Sequence, residues 1–350
     1  MTSPRHTATI GAAGSGKTQR LIDGALAAAA DGKRVLITTY TIENRNHIER
    51  RVAQACGVVP RNVDILTWYR FLINELCHPY QLAFLGQIGV VRSLFFENAP
   101  WQKFAKKTQR SYYLTKQGDV YKNRASALAL ICNEDSDGKV MERLASIYSE
   151  IYIDEMQDLA GHDFDLLDVL MATPPTVHLV GDPRQALYFT DDSNKNKKYK
   201  GASFVAWLEK RAATIQIEWL NESHRCCQAI LDWADALFEG YEPTTSLHDE
   251  GEDGDGVHLL TRLQLPGYLQ IYGAEVTVLR RQKTNDTMGL PAINIGVSKG
   301  ATYERVVLFG SRPMVRVASG KDGPNKLSPI ERNRLYVAVT RARRSVVIVL

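Results

Sequence analysis

The sequence predicts an α/β protein built on parallel sheets, from three observations. Short β-branched apolar runs alternate with stretches of helical length, as parallel strands joined by crossover helices do. A glycine-rich turn, Gly11-Ala-Ala-Gly14-Ser15-Gly16-Lys17-Thr18, lies between a predicted strand and a predicted helix. An apolar run, Ile151-Tyr-Ile, ends in the acidic pair Asp154-Glu155, which suits a buried strand reaching the carboxyl edge of its sheet.

The elements follow in order. Thr7–Ile10 reads as a strand and Lys17–Ala30 as an Ala/Leu-rich helix. Arg34–Thr39 is a strand, with a polar helix from about Glu43 to Ala55. Asn62–Leu66 is a strand, with a helix after Thr67. Ser149–Asp154 and Thr176–Gly181 are buried strands flanking an apolar-periodic helix. A second set begins near Thr214: strands Ile215–Leu220, Val257–Leu260, Glu275–Leu279, Arg305–Phe309 and Val346–Leu350, with helices at Cys226–Phe238 and about Pro329–Ala342. Residues 72–148 interrupt the first set and read as a largely helical insertion. Residues 240–256 are rich in acidic side chains, Gly and Pro, and read as a solvated linker.

Composition bounds the function. With 350 residues, 44% hydrophobic and 23% charged, the chain suits about two globular domains. It has no apolar run long enough to span a bilayer and no secretory signal, so a cytoplasmic protein with no membrane partner is expected. The five cysteines lack CxxC spacing, which points away from a disulfide framework or a zinc site. A net charge of +4 permits a nucleic-acid partner without requiring one.

The glycine-rich turn fits G-x-x-x-x-G-K-[ST] in the strand–turn–helix context that this motif needs. Gly14, Ser15 and Gly16 let the backbone curl so that its N–H groups face phosphate oxygens, and the helix N-terminus adds partial positive charge. Lys17 meets the β and γ phosphates in this scheme, and Thr18 ligates magnesium. Asp154 holds the same ion through water, while Glu155 orients or deprotonates the attacking water. A further strand ends in Gly181-Asp-Pro-Arg-Gln185, and Gln185 there can reach the γ phosphate.

IDEMQD at 153–158 followed by VGDPRQALY at 180–188 resembles the motifs of superfamily 1 helicases of the UvrD/Rep/PcrA type. Thr39-Tyr40-Thr41, Thr67-Trp68-Tyr69-Arg70-Phe71, Asn221-Glu-Ser-His224-Arg225, Ser298-Lys299-Gly300 with Glu304, and Leu335-Tyr336-Val-Ala-Val-Thr340-Arg341-Ala342 resemble the remaining motifs in the same order. The resemblance implies two RecA-like P-loop domains, residues 1–71 with 149–213 and residues 214–350, with ATP and Mg²⁺ as cofactors. It implies that Arg225 and Arg341 stabilise charge on the transferring phosphate, worth about 10³–10⁵ in rate by analogy. His224 takes the place of the family's adenine-stacking Tyr, and Glu304 meets the ribose. No Gln precedes the glycine-rich turn to read adenine.

For single strands, aromatic platforms flanked by cations supply about 1–3 kcal/mol per stacked base. Tyr40 stands where the family stacks a base, with Thr67 and Trp68 in the neighbouring element. Tyr188 precedes a polar insertion after which Tyr199-Lys200-Gly201-Ala202 restores an aromatic–cation–Gly-Ala order. Residues 101–124 interleave basic residues with Trp101, Phe104, Tyr112, Tyr113 and Tyr121, which suits either a nucleic-acid surface or a solvated helix pair with aromatic core residues. Only about a dozen residues bridge the place where UvrD relatives carry a large accessory domain.

The expected function is therefore an ATP-dependent translocase or helicase on single-stranded DNA, with 3′→5′ polarity by resemblance. RNA is the alternative strand. A nucleotide-gated, DNA-sensing switch in a defence module, with a nuclease or effector protein as partner, is the rival from another class.

Overall fold

The structure is a computed structural model of the chain, described here for residues 4–99, 105–248 and 254–350. Two compact units emerge. The first holds residues up to Ile10, Thr18–Pro183 and Tyr188–Glu218. The second holds Gly11–Lys17, Arg184–Leu187 and Trp219–Leu350. The glycine-rich turn and the Arg184–Leu187 turn thus group with residues far along the chain.

In the first unit the strands are β1 (His6–Gly11), β2 (Val35–Thr39), β3 (Val63–Thr67), β4 (Leu94–Phe95), β5 (Val120–Tyr121), β6 (Glu150–Ile153), β7 (Thr176–Gly181) and β8 (Ile215–Leu220). Six of them form one sheet in the order β3-β2-β6-β7-β1-β8. The pairings β2·β3, β2·β6, β6·β7 and β1·β7 are parallel. All five residues of β2 are buried, as a strand covered on both faces requires. The helices are α1 (Lys17–Ala30), α2 (Ile42–Cys56), α3 (Trp68–Phe71), α4 (Gln81–Leu85), α5 (Ala125–Asp135), α6 (Lys139–Ile147), α7 (Asp163–Met171) and α8 (Phe204–Glu209). Helix α1 buries Leu21, Ile22, Ala25, Ala28 and Ala29, a stripe at helical spacing whose small residues bring it close to the sheet.

Among the described residues, the segment 72–148 is largely helical, as expected, with its helices at the two ends. Between α4 and α5 it carries short single turns and the parallel pair β4·β5. Its aromatic residues explain this. Tyr113 packs edge-on against Phe84, and Tyr121 against Phe95, so that irregular backbone is fixed by ring contacts.

In the second unit the strands are β9 (Glu222–Ser223), β10 (Thr245–Ser246), β11 (Gly256–Leu260), β12 (Val276–Arg280), β13 (Ala292–Asn294), β14 (Tyr303–Phe309) and β15 (Ala342–Val349). The main sheet runs β11-β15-β14-β12-β13, all parallel. The helices are α9 (Gln228–Asp235), α10 (Leu265–Tyr272), α11 (Arg312–Ala318) and α12 (Pro329–Val339). Pro329 opens α12 behind the cap Ser328, whose Oγ accepts from Glu331 N at 3.4 Å. The helix stops at Val339, before the expected Ala342, with Thr340 as its C-cap at φ −77° and ψ 10° and Thr340 Oγ1 bonded to Tyr336 O at 2.8 Å. Arg341 therefore lies in the turn between α12 and β15. The chain is an α/β protein with parallel sheets in both units, as the alternation predicts. Among the described residues no helix is long and apolar enough to cross a membrane.

Candidate nucleotide and nucleic-acid sites

Parallel strands place the segments that follow them along one edge of a sheet. In the first unit, Tyr40 follows β2, Thr67 ends β3, Asp154 follows β6 and Asp182 follows β7, and β2, β3, β6 and β7 are consecutive neighbours in the order β3-β2-β6-β7. Asp154 is 6% exposed and its Oδ2 accepts from Thr18 Oγ1 at 3.1 Å. The two residues expected at the metal are thus in direct contact. Glu155 sits in left-handed backbone at φ +60°, and its N–H donates to Asp154 Oδ1 at 3.0 Å. Its side chain is held at both oxygens: Asn44 Nδ2 donates to Oε1 at 3.1 Å, and Gln157 Nε2 donates to Oε2. Gln157 Oε1 in turn accepts from Asp182 N at 3.0 Å, tying the ends of β6 and β7 together.

In the second unit the glycine-rich turn is fixed by its backbone. Ala13 N donates to Tyr336 Oη at 3.2 Å, Ser223 Oγ donates to Ala13 O at 2.8 Å, and His224 N donates to Gly14 O at 3.0 Å. Gly14 and Gly16 have φ +79° and +78°, which side chains rarely adopt. A Cβ on Gly14 would also come within 2.5 Å of Ser223 Oγ and 2.6 Å of Arg225 Cβ. Lys17 Nζ folds back on Ala12 O at 2.6 Å, and Ser15 Oγ is buried with no hydrogen-bond partner among the described residues.

The two arginines of this unit differ. Arg341 is 1% exposed and fully engaged: Nε donates to Val337 O at 3.1 Å, Nη1 to Ala301 O at 3.2 Å, and Nη2 to Gln185 Oε1 at 3.2 Å. Arg225 is half-buried and donates from Nη1 to Thr340 O at 3.1 Å. The Arg184–Leu187 turn is seated by Asn333 Nδ2, which donates to Ala186 O at 2.9 Å, and by Arg184, which pairs with Asp235 at 2.9 Å and lies over the Tyr336 ring. That seating delivers Gln185 to Arg341. His224 is exposed, and Glu304 is exposed and pairs with Arg343 at 3.4 Å.

The residues expected along a single strand separate into two groups. Tyr40 and Tyr188 stack with centroids 6.3 Å apart and planes at 24°, and Tyr188 is 37% exposed. Tyr69 props Tyr40 from the side at 5.9 Å and donates its hydroxyl to Thr190 O. Beside Tyr40 opens a pocket of about 460 Å³, bounded by Thr67, Arg70, Arg92 and Phe96. Thr67 caps α3, its Oγ1 accepting from Arg70 N at 3.4 Å.

Trp68, Tyr199 and Lys200 are placed otherwise than expected. Trp68 is 1% exposed, and its indole N–H donates to buried Asp163 at 3.0 Å, so it is a core residue. Apolar area of that size is better used inside, with its one donor satisfied. Tyr199 is likewise buried, packed against Phe164, with its hydroxyl accepting from Lys210. Lys200 is held by Asp191 O and Asp192 Oδ1, both at 3.1 Å, and closes its own loop. In the basic segment, Trp101 and Phe104 lie outside the described residues. Tyr112 is covered by Arg124 at 4.1 Å, and Tyr113 is buried, while Lys106, Lys107, Arg110 and Lys116 are exposed.

Sequence reasoning missed Asn44, Gln157, Ser223 and Arg184 as parts of these sites. Gln157 and Arg184 stood inside recognised motifs with no role assigned. Asn44 carried a weaker signal, an amide three residues after the capping Thr41 on the first turn of a helix leaving the sheet edge.

The donors fit the groups that the motifs call for. Buried Ser15 Oγ, two left-handed glycines and a lysine bonded to its own loop suit a phosphate, which would replace that lysine contact. A hydroxyl beside a carboxylate suits a hard divalent cation such as Mg²⁺.

Fold and loop together define an α/β protein with parallel sheets and a glycine-rich turn that fits G-x-x-x-x-G-K-[ST]. Residues 96–195 match the family model for the UvrD/REP helicase N-terminal domain. The match begins inside the 72–148 segment that the motif resemblance leaves out, and takes in Asp154, Glu155 and Gln185. No curated protein matches the chain. Among solved structures, the Arterivirus nonstructural protein 10 helicase in complex with DNA is similar at 16% identity and TM-score 0.50, covering 98% of this chain and 61% of that one. The same helicase in a second crystal structure gives 16% and 0.49, covering 98% and 59%. The PRRSV helicase gives 16% and 0.47, covering 98% and 52%. The chain spans about half to three-fifths of the length of these helicases.

Proposed function

We propose that the chain is an ATP-driven motor on single-stranded nucleic acid, acting on DNA as a translocase or helicase of the UvrD-like type with 3′→5′ polarity. The observation that supports it most is the Thr18–Asp154 contact with Glu155 alongside, the donor set of a magnesium-dependent phosphoryl-transfer site, on the same sheet edge as the Tyr40–Tyr188 platform.

In this proposal the Gly14–Thr18 segment binds the phosphates, with Lys17 on the β and γ oxygens. Thr18 and Asp154 would hold Mg²⁺, which would supply charge neutralisation on the transferred phosphate. Glu155 orients the attacking water. Gln185 and Arg341 act as a linked pair, the amide reporting the γ phosphate and the guanidinium stabilising its charge. Arg225 adds a second cation. His224 faces the base and Glu304 the ribose. Tyr40 and Tyr188 stack bases, with Thr67 beside them.

The domain match and the DNA complex of the similar helicase support a nucleic-acid substrate. The test is ATP turnover by the full chain with and without a defined single strand, as DNA and as RNA. The proposal expects Mg²⁺-dependent turnover stimulated by single-stranded DNA. Stimulation by RNA alone would reassign the strand. Slow turnover indifferent to either, with retained DNA binding, would indicate a nucleotide-gated switch.

A further inference from the structure

Glu155 is restrained from two sides. Asn44 holds Oε1 and Gln157 holds Oε2, so both carboxylate oxygens already accept an amide donor. The two amides differ in where they stand. Gln157 is fully buried, and its other end is fixed on Asp182 N. Asn44 lies on the first turn of α2, and its backbone N–H donates to the capping hydroxyl of Thr41 at 3.1 Å. Thr41 directly follows Tyr40, whose ring stacks on Tyr188. Three residues therefore separate an aromatic platform from an amide bonded to Glu155.

A helix cap is local and soft. A shift of Tyr40 is therefore enough to re-aim the first turn of α2. Both Tyr40 and Thr41 also border the pocket beside the platform, so an occupant there presses on this same turn. Gln157 has no such handle, because its partners lie in the core.

We propose that Asn44 is a positioning residue that holds Glu155 in a resting orientation, and that a nucleobase stacked at Tyr40 draws Asn44 away and releases Glu155 to act on water. The inference rests on the proposed ATP-driven reaction. It adds the route by which the strand governs hydrolysis.

The experiment compares the full chain with Asn44→Ala and Asn44→Gln, measuring kcat and KM for ATP with and without a single-stranded oligothymidylate of about 30 nucleotides. Water and Gln157 partly compensate the lost hydrogen bond, which leaves an expected effect of about three- to tenfold. Asn44→Ala is expected to raise kcat without DNA by that factor and to leave kcat with DNA and KM for ATP within about twofold. Stimulation by DNA then shrinks by the same factor. Asn44→Gln, which keeps an amide donor, is expected to restore much of the stimulation. Unchanged basal turnover in Asn44→Ala, or a parallel fall with and without DNA, would overturn the role. Absence of ATP turnover in the unsubstituted chain would instead overturn the reaction on which it rests. Thermal unfolding of each variant separates a folding defect from a kinetic one.

Discussion

Thr18 Oγ1 donates a hydrogen bond to Asp154 Oδ2 at 3.1 Å, joining the start of α1 to the end of β6 across 136 positions of sequence. Neither residue needs the other for folding of its own element. Their contact places a hydroxyl and a carboxylate where one small cation can take both. Asp154→Asn keeps the shape and removes the charge. It is expected to raise the Mg²⁺ concentration for half-maximal ATP turnover by about 10–100-fold. A Mg²⁺ titration of turnover checks this, and an unchanged midpoint would remove Asp154 from the metal.

Gly14 tolerates no side chain. Gly14→Ala meets Ser223 and Arg225 and carries a backbone strain of about 1–2 kcal/mol. Nucleotide binding is expected to weaken at least tenfold with a modest drop in melting temperature. Fluorescent nucleotide titration and calorimetry read the two separately.

Arg341 bonds two carbonyls and Gln185, so its replacement touches stability as well as rate. Arg341→Lys keeps the charge and gives up the planar fork. Turnover is expected to fall by about 10³-fold or more while nucleotide affinity changes far less, because charge stabilisation counts mostly in the transition state. Equal losses in affinity and rate would make Arg341 a structural residue.

Tyr188 and Trp68 should part company. Tyr188→Ala removes an exposed ring from the platform and is expected to weaken single-strand binding by about 1–3 kcal/mol, with turnover in the absence of DNA preserved. Trp68→Phe loses a buried hydrogen bond to Asp163 and leaves its partner short of a donor. It is expected to cost about 1–3 kcal/mol of stability with no change in strand affinity. Fluorescence anisotropy on a labelled oligonucleotide and chemical denaturation distinguish them.

Much of this fold was legible because parallel strands buried on both faces write continuous apolar runs. The stretches Val35–Thr39 and Thr176–Gly181 are of this kind, and their boundaries follow from composition. The glycine-rich turn was legible because its glycines are set by local backbone chemistry. Aromatic residues were harder to place. A ring near a motif reads the same whether it faces solvent, like Tyr188, or the core, like Trp68 and Tyr199, since burial depends on contacts from distant segments. The 72–148 segment was legible as largely helical, while the ring-on-ring packing of its irregular middle was not, since those rings meet across the sequence. Asn44 escaped notice because its partner, Glu155, is 111 positions away, and nothing local to an asparagine announces such a bond.

The most direct trial is a run-off measurement with single-stranded DNA of increasing length carrying a dye at one end. ATP-driven 3′→5′ movement predicts a delay before the dye signal that grows linearly with length for the 5′-labelled strand, and no such delay for the 3′-labelled one. A signal independent of length and of ATP at both ends would contradict a motor altogether.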